Sequence, residues 1–315
     1  MLLLEQMVVL FLLMGIGYLC YKKNIITDEV SKKLSAIVVN IANPALVLTG
    51  CMGEEKIQGK ELLLTVVIIL AIYTVLILIA QILPWALHIE KKSHGVYKAM
   101  TIFSNIGFMG FPVISALYGS SALLYAALFT IPYNILIYTY GIASMSIRKE
   151  DEKALSKEKD KSRSGLLLGR ILNAGVIACI VTMILYLFRI PIPDMLGDTI
   201  THLSNLTAPL SMMVIGASLA TIDLKKLFTD VKLLVFSAIK LLVIPIVGML
   251  IIKQFVSNEM ICGVCMVMLA TPVGSMTAML AQQYDGDYEM ASKGVALTTI
   301  LSVATIPLVS MIVMG

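Results

Sequence analysis

Two short stretches of this sequence combine helix-breaking and polar residues inside otherwise apolar runs. The first is SNIGFMGFP, with Ser104, Asn105, Gly107, Gly110 and Pro112. The second is ATPVGSMTAML, with Thr271, Pro272, Gly274, Ser275 and Thr277. Proline removes a backbone donor and clashes with the preceding turn, and glycine makes a helix easy to unwind. In an apolar environment the freed N–H and C=O groups need a partner: protein, water or a solute. A half-helix starting after Pro112 and another after Pro272 would each present an N-terminal end of about +0.5 charge. Such a meeting point favours an anion. Ser104, Asn105, Thr271, Ser275 and Thr277 could bond that anion, or could cap a plain proline kink.

Lys240, in VFSAIKLLVIP, is the second chemical signal. It lies about ten residues inside an apolar run, where a lysine costs about 2.5–3.5 kcal/mol on insertion scales. No Asp or Glu stands at similar depth. Lys240 therefore meets the charge of a substrate, snorkels to an interface, or bonds helix carbonyls. The absence of deep carboxylates also speaks against proton coupling through an Asp or Glu. Cys262 and Cys265 form a CxxC, but inside an apolar run, where small buried side chains account for it better than zinc or redox chemistry.

The elements that hold these residues follow from composition. The chain has 315 residues, 58% hydrophobic and 14% charged, with a mean hydropathy of +0.92. A water-soluble domain carries about 25% charged residues. The apolar stretches are long and unbroken, so they predict membrane helices and not barrel strands. Ten runs stand out, at about 2–21, 34–51, 61–83, 99–118, 122–147, 166–188, 199–221, 231–252, 259–282 and 293–314. The first has no basic flank before it and no A-x-A cleavage signal, so it is expected to be a retained span with the N-terminus outside.

Lysine and arginine test that topology. With both termini outside, eighteen of the 24 basic residues fall in the inner loops and four in the outer loops. That is a strong positive-inside bias. The net charge of +4 is therefore an orientation signal and not a nucleic-acid one. The largest basic cluster is the mixed-charge segment from Arg148 onward. It divides the chain into a first five-helix repeat (1–147), a cytoplasmic loop (148–164) and a second repeat (165–315). Five spans per half invert the second half relative to the first. Proline recurs accordingly: Asn43-Pro44 in the second span is matched by Asn205 and Pro209 in the seventh, and Pro112 in the fourth by Pro272 in the ninth.

The segments NPALVL (43–48), SNIGFMGFP (104–112), APLSMMVIGASLA (208–220), KLLVIP (240–245), ATPVGSMTAMLAQQY (270–284) and TTILSVATIP (298–307) resemble the auxin efflux carrier family. That family includes the plant PIN exporters and bacterial malate and malonate carriers, and the bacterial members look closer. The resemblance implies an all-α membrane protein of ten transmembrane helices in a 5+5 inverted repeat, akin to bile-acid transporters and sodium/proton antiporters. Spans one, two, six and seven would form a scaffold; the other six would form a transport domain with broken spans four and nine crossing at Pro112 and Pro272. It also implies a homodimer in the plasma or inner membrane and a small organic anion as substrate: malate, malonate or an auxin-like carboxylate. The expected substrate contacts are Asn43, Asn105, Gly107, Gly110, Pro112, Asn205, Lys240, Thr271, Pro272, Ser275 and Thr277. No cofactor, metal or nucleic acid is expected, and no enzymatic activity. The rivals are a sodium- or proton-coupled symporter of carboxylates on the same fold, and a membrane sensor or scaffold that uses loop 148–164 to hold a partner.

Overall fold

The computed structural model describes residues 2–52, 59–145, 173–221, 227–284 and 286–314. The charged segment 148–164 lies outside them, as do Lys56, Lys225 and Lys226. Apart from one isolated bridge, the regular structure is helical.

The helices are α1 (Leu2–Lys22), α2 (Asp28–Ile37), α3 (Asn43–Thr49), α4 (Gly59–Ala86), α5 (His94–Ile102), α6 (Phe111–Tyr118), α7 (Ala122–Leu136), α8 (Ile142–Met145), α9 (Ala174–Phe188), α10 (Asp194–Ser204), α11 (Thr207–Ala220), α12 (Val231–Ala238), α13 (Ile244–Phe255), α14 (Glu259–Ala270), α15 (Ser275–Gln283) and α16 (Tyr288–Met314). Among the described residues, five continuous helical stretches are long and apolar enough to cross a membrane: Gly59–Ala86, Ala122–Met145, Asp194–Ala220, Val231–Phe255 and Tyr288–Met314. Shorter apolar helices stand among them. The molecule is thus an all-α membrane protein. Helix α4 shows why it needs lipid: Leu63, Val67, Leu70, Val75, Leu78 and Ile82 are all more than half exposed, a larger apolar face than a water-soluble monomer tolerates.

Of the two prolines expected to interrupt helices, Pro112 does not, and it shares its setting with Pro44 and Pro245. Pro44, Pro112 and Pro245 each sit at the second residue of a helix that follows a five-residue π turn, at Val38–Ala42, Ile106–Gly110 and Ile239–Val243. The wider turn lengthens the hydrogen-bond step: Phe111 N–H donates to Ile106 O, and Ile244 N–H to Ile239 O. A proline lacks a donor and crowds the carbonyl four residues back; a π turn accommodates both without opening the chain. The interruption expected at Pro112 therefore lies earlier, at Phe103–Asn105. The second falls where the sequence placed it, at Thr271–Gly274.

Close packing elsewhere depends on small residues. A Cβ on Gly17 would lie 2.2 Å from Met213 O, and one on Gly216 would lie 1.9 Å from Met14 O. Only glycine lets α1 and α11 approach so closely without lipid-excluded gaps. Helix α14 is apolar on every side, and Ile261 through Ala270 are all buried, so it runs through the interior. Its start is fixed by Asn258, whose Oδ1 accepts from Met260 and Ile261 N–H. Asn258 in turn donates to Glu61 of α4, which also accepts from the Tyr125 hydroxyl of α7.

Candidate functional site

The two interruptions meet. Asn105 N–H donates to Pro272 O at 2.7 Å, and Gly274 N–H donates to Phe103 O at 2.9 Å. Ser104 and Val273 pair as an antiparallel bridge. Each extended segment thus satisfies groups that the other's missing helix leaves free. The contact requires glycine at 274, because a Cβ there would sit 3.0 Å from Ser104 O. A third helix supports the pair: Val273 N–H donates to Thr298 Oγ1 of α16, and that hydroxyl donates to Gly294 O. The junction is buried throughout, with Phe103, Val273 and Thr271 fully inaccessible.

Four helix ends converge here, and they are finished differently. Helix α5 ends at Ile102 with its carbonyls pointing into the junction. Lys240, wholly buried on the π turn between α12 and α13, donates to Thr101 O at 3.1 Å and to Ser104 Oγ at 2.8 Å. A cation at a helix C-terminus meets the negative end of the dipole. Of the roles open to this lysine, the geometry has it bonding a helix carbonyl.

The following helical stretch starts at Asn105, whose Oδ1 accepts from Phe108 N–H at 3.3 Å as an N-cap. Its Nδ2 makes no hydrogen bond among the described residues. Gly107 O accepts from Asn43 Nδ2 at 3.0 Å, and the absence of a side chain on Gly107 makes room for that amide. The Oδ1 of Asn43 is buried and unpartnered. Gly110 packs against Met268 of α14, where a Cβ would lie 3.4 Å from the sulfur.

On the other side, Thr271 turns back onto its own helix and donates to Met268 O. Helix α15 then begins with no side-chain cap, because Gly274 occupies the cap position. Thr277 N–H reaches Gly274 O, while the N–H groups of Ser275 and Met276 have no partner among the described residues. The Thr277 hydroxyl is buried and equally unpaired.

Of the expected contacts, Asn43, Asn105, Gly107, Gly110, Thr271, Pro272, Ser275 and Thr277 gather at or beside the junction. Pro112 lies one turn into the continuing helix. Lys240 touches the junction from behind, through backbone and Ser104. Asn205 is exposed at the turn between α10 and α11 and bonds only along its own chain, through N–H to Thr201 O. Farther along that helix, Thr207 and Ser211 carry buried hydroxyls without partners, and α11 packs against the Ile106–Gly110 turn. Sequence reading missed these two and Thr298, since serine and threonine are common in membrane helices and nothing local sets them apart. No cluster of His, Cys, Asp or Glu suited to a metal occurs among the described residues. Cys262 and Cys265 are free and buried in α14.

Apolar helices built for lipid, with two interrupted ones joined in the interior, define a multi-pass α-helical membrane protein. The sequence profile of the family described as membrane transport protein matches residues 2–310. The chain belongs to that family, the one its motifs resemble. It is 23% identical over 309 residues to an uncharacterized transporter of Methanothermobacter thermautotrophicus, covering 98% of this chain and 97% of the relative. It is 25% identical over 311 residues to an uncharacterized transporter of Methanocaldococcus jannaschii, covering 97% of each.

Proposed function

We propose that this transporter carries small organic anions by alternating access, and that the carboxylate is held at the open start of α15. The observation that carries this reading is the set of unpaired donors there: Ser275 and Met276 N–H and the Thr277 hydroxyl, with Asn105 Nδ2 across the junction. Of these the Thr277 hydroxyl is buried, where a donor left without a partner is costly, and a helix N-terminus favours an anion. In this reading Lys240 does not bind the solute; it neutralises the carbonyl end of α5, so that the junction as a whole is not repelled by a negative charge.

The motion follows from the same frame. The ten apolar runs form a 5+5 inverted repeat, 1–147 and 165–315, with 148–164 as the inner connection and both termini outside the plasma or inner membrane. Spans one, two, six and seven are the scaffold, consistent with the glycine-mediated contact of α1 and α11. The remaining spans carry the junction. The bond from Asn43 to Gly107 then joins the two bodies and must break for the junction to move. An inside-negative potential favours anion export by about 2.3 kcal/mol per charge per 100 mV, so efflux needs no ion coupling. The protein works as a homodimer.

The test is uptake and release of labelled malate, malonate and indole-acetate in proteoliposomes, with and without an imposed potential. Carboxylate flux that rises with inside-negative export is expected. No flux of any carboxylate would remove the proposal. One observation favours a second reading: Asn43 Oδ1 is a buried acceptor awaiting a donor or cation. A sodium requirement for flux would select coupled symport instead.

A further inference from the structure

Three polar groups away from the start of α15 are buried without a hydrogen-bond partner among the described residues: Asn43 Oδ1, Thr207 Oγ1 and Ser211 Oγ. Asn43 is 7% exposed, Thr207 1% and Ser211 0%. They belong to one seam. Met213 and Gly216 of α11 make the close contact with α1, at Gly17 and Met14. Ser211 stands about 160° round the helix from Met213, at 3.6 residues per turn, and Thr207 lies one turn earlier on the same side. Both hydroxyls therefore face away from α1. Besides α1, α11 packs against α2, α6 and the turns at Val38–Ala42 and Ile106–Gly110. Asn43 follows the first of these turns and Gly107 lies in the second, and the bond from Asn43 Nδ2 to Gly107 O ties the two together. Gly107 and Phe108 are half-buried, unlike the enclosed Phe103 and Thr271 beside them.

The chemistry of the three groups limits what can satisfy them. A carboxylate only accepts hydrogen bonds, so it suits the donors proposed at α15 and Asn105 Nδ2. It cannot serve Asn43 Oδ1, which is itself an acceptor and needs an O–H or N–H. The Thr207 and Ser211 hydroxyls can donate or accept. No Asp or Glu is buried among the described residues, so an ammonium group entering this seam would be an uncompensated charge. A neutral hydroxyl is the donor that fits. Gly107 is two residues from Asn105, which places the acceptor and the anion donors on either side of one short turn.

We propose that Asn43, Thr207 and Ser211 are specificity-determining residues that bond a hydroxyl group of the solute, and that the transported anion is a hydroxycarboxylate. The inference rests on the carboxylate reading given above and adds the second functional group. The bond from Asn43 to Gly107 breaks as the junction moves, and that opens the seam to the solute. A site built to bond a solute hydroxyl rejects the analogue that lacks it, because its own polar groups are then left unpaired.

The test is uptake of labelled malate and succinate, which differ by one hydroxyl, into proteoliposomes holding the full chain. Wild type should favour malate by about tenfold in kcat/KM, the worth of one hydrogen bond. Thr207→Val and Ser211→Ala should each cut that preference about fivefold, by slowing malate while succinate flux holds. Thr207→Ser keeps a hydroxyl and should keep the preference. Thr65→Val removes a buried hydroxyl that already bonds Glu61 O and should leave the ratio unchanged. The ratio does not depend on how much of a variant folds, so an unchanged ratio in both Thr207→Val and Ser211→Ala overturns the inference. Equal wild-type rates for malate and succinate overturn it as well, while the carboxylate reading stands. Aspartate carried in preference to malate would make the donor an ammonium group and overturn it too. Wild type carrying none of the three removes the carboxylate reading and this inference with it.

Discussion

The two interrupted helices meet as partners but are finished unequally. At the first interruption almost every group is matched: Lys240 caps the carbonyl end of α5, Asn105 caps the next helical start, and Asn43 holds Gly107. At the second, Thr271 folds back on its own helix and α15 starts at an uncapped glycine, leaving two N–H groups and the Thr277 hydroxyl unpaired. The difference teaches that an interrupted helix is not by itself a binding site. Interruption frees backbone groups, and only those the protein does not consume are available to a solute.

Substitutions can break or sharpen that contrast. The largest effect is expected from Lys240→Met. It removes two hydrogen bonds from a buried ammonium, each worth about 1.5–3 kcal/mol when a charged group is involved. Transport should be lost and the melting temperature in detergent should fall; a variant with wild-type stability and flux would show that the first interruption does not depend on its cap. Asn105→Asp is next. Aspartate caps a helix as well as asparagine but takes away Nδ2 and adds a negative charge, so stability should hold while carboxylate flux in proteoliposomes drops at least tenfold. If flux survives, the anion does not sit at this junction.

Thr277→Val is smaller and more selective. Replacing a buried, unpaired hydroxyl by a methyl should leave the melting temperature unchanged or raise it. The KM for the transported anion should rise about tenfold, which corresponds to one hydrogen bond of about 1.4 kcal/mol. An unchanged KM would empty the second interruption of its proposed role. The smallest effect is Gly107→Ala. The added Cβ would lie 3.3 Å from Asn43 Nδ2, so that amide must shift by a few tenths of an ångström. A change of about twofold in transport rate at constant KM is expected from loosening a contact that has to break during the cycle.

Much of the fold is legible in residue order. Among the described residues the long apolar runs fold largely as helices where hydropathy marks them, and Thr271-Pro272-Val273-Gly274 opens the chain as its composition suggests. The first interruption was placed by the wrong residue. Pro112 looked like the breaker because it lacks an N–H and stands beside two glycines. A π turn at Ile106–Gly110 absorbs it, and the chain opens at Ser104 and Asn105, which carry no strong local signal. Asn205 looked like the counterpart of Asn43 by spacing, yet it is exposed, whereas Thr207 and Ser211 are the buried polar groups of that region.

By itself the sequence determined that these helices live in lipid, because 58% hydrophobic composition leaves too little polar surface for water. It also determined which two stretches carry breakable, polar backbone, since proline and glycine act within a few residues of themselves. Tertiary structure decided the rest: which freed groups pair across the junction, where Lys240 spends its charge, and which donors remain. Those outcomes depend on residues more than a hundred positions apart arriving within 3 Å, as Lys240 and Ser104 do, and no local pattern encodes that distance.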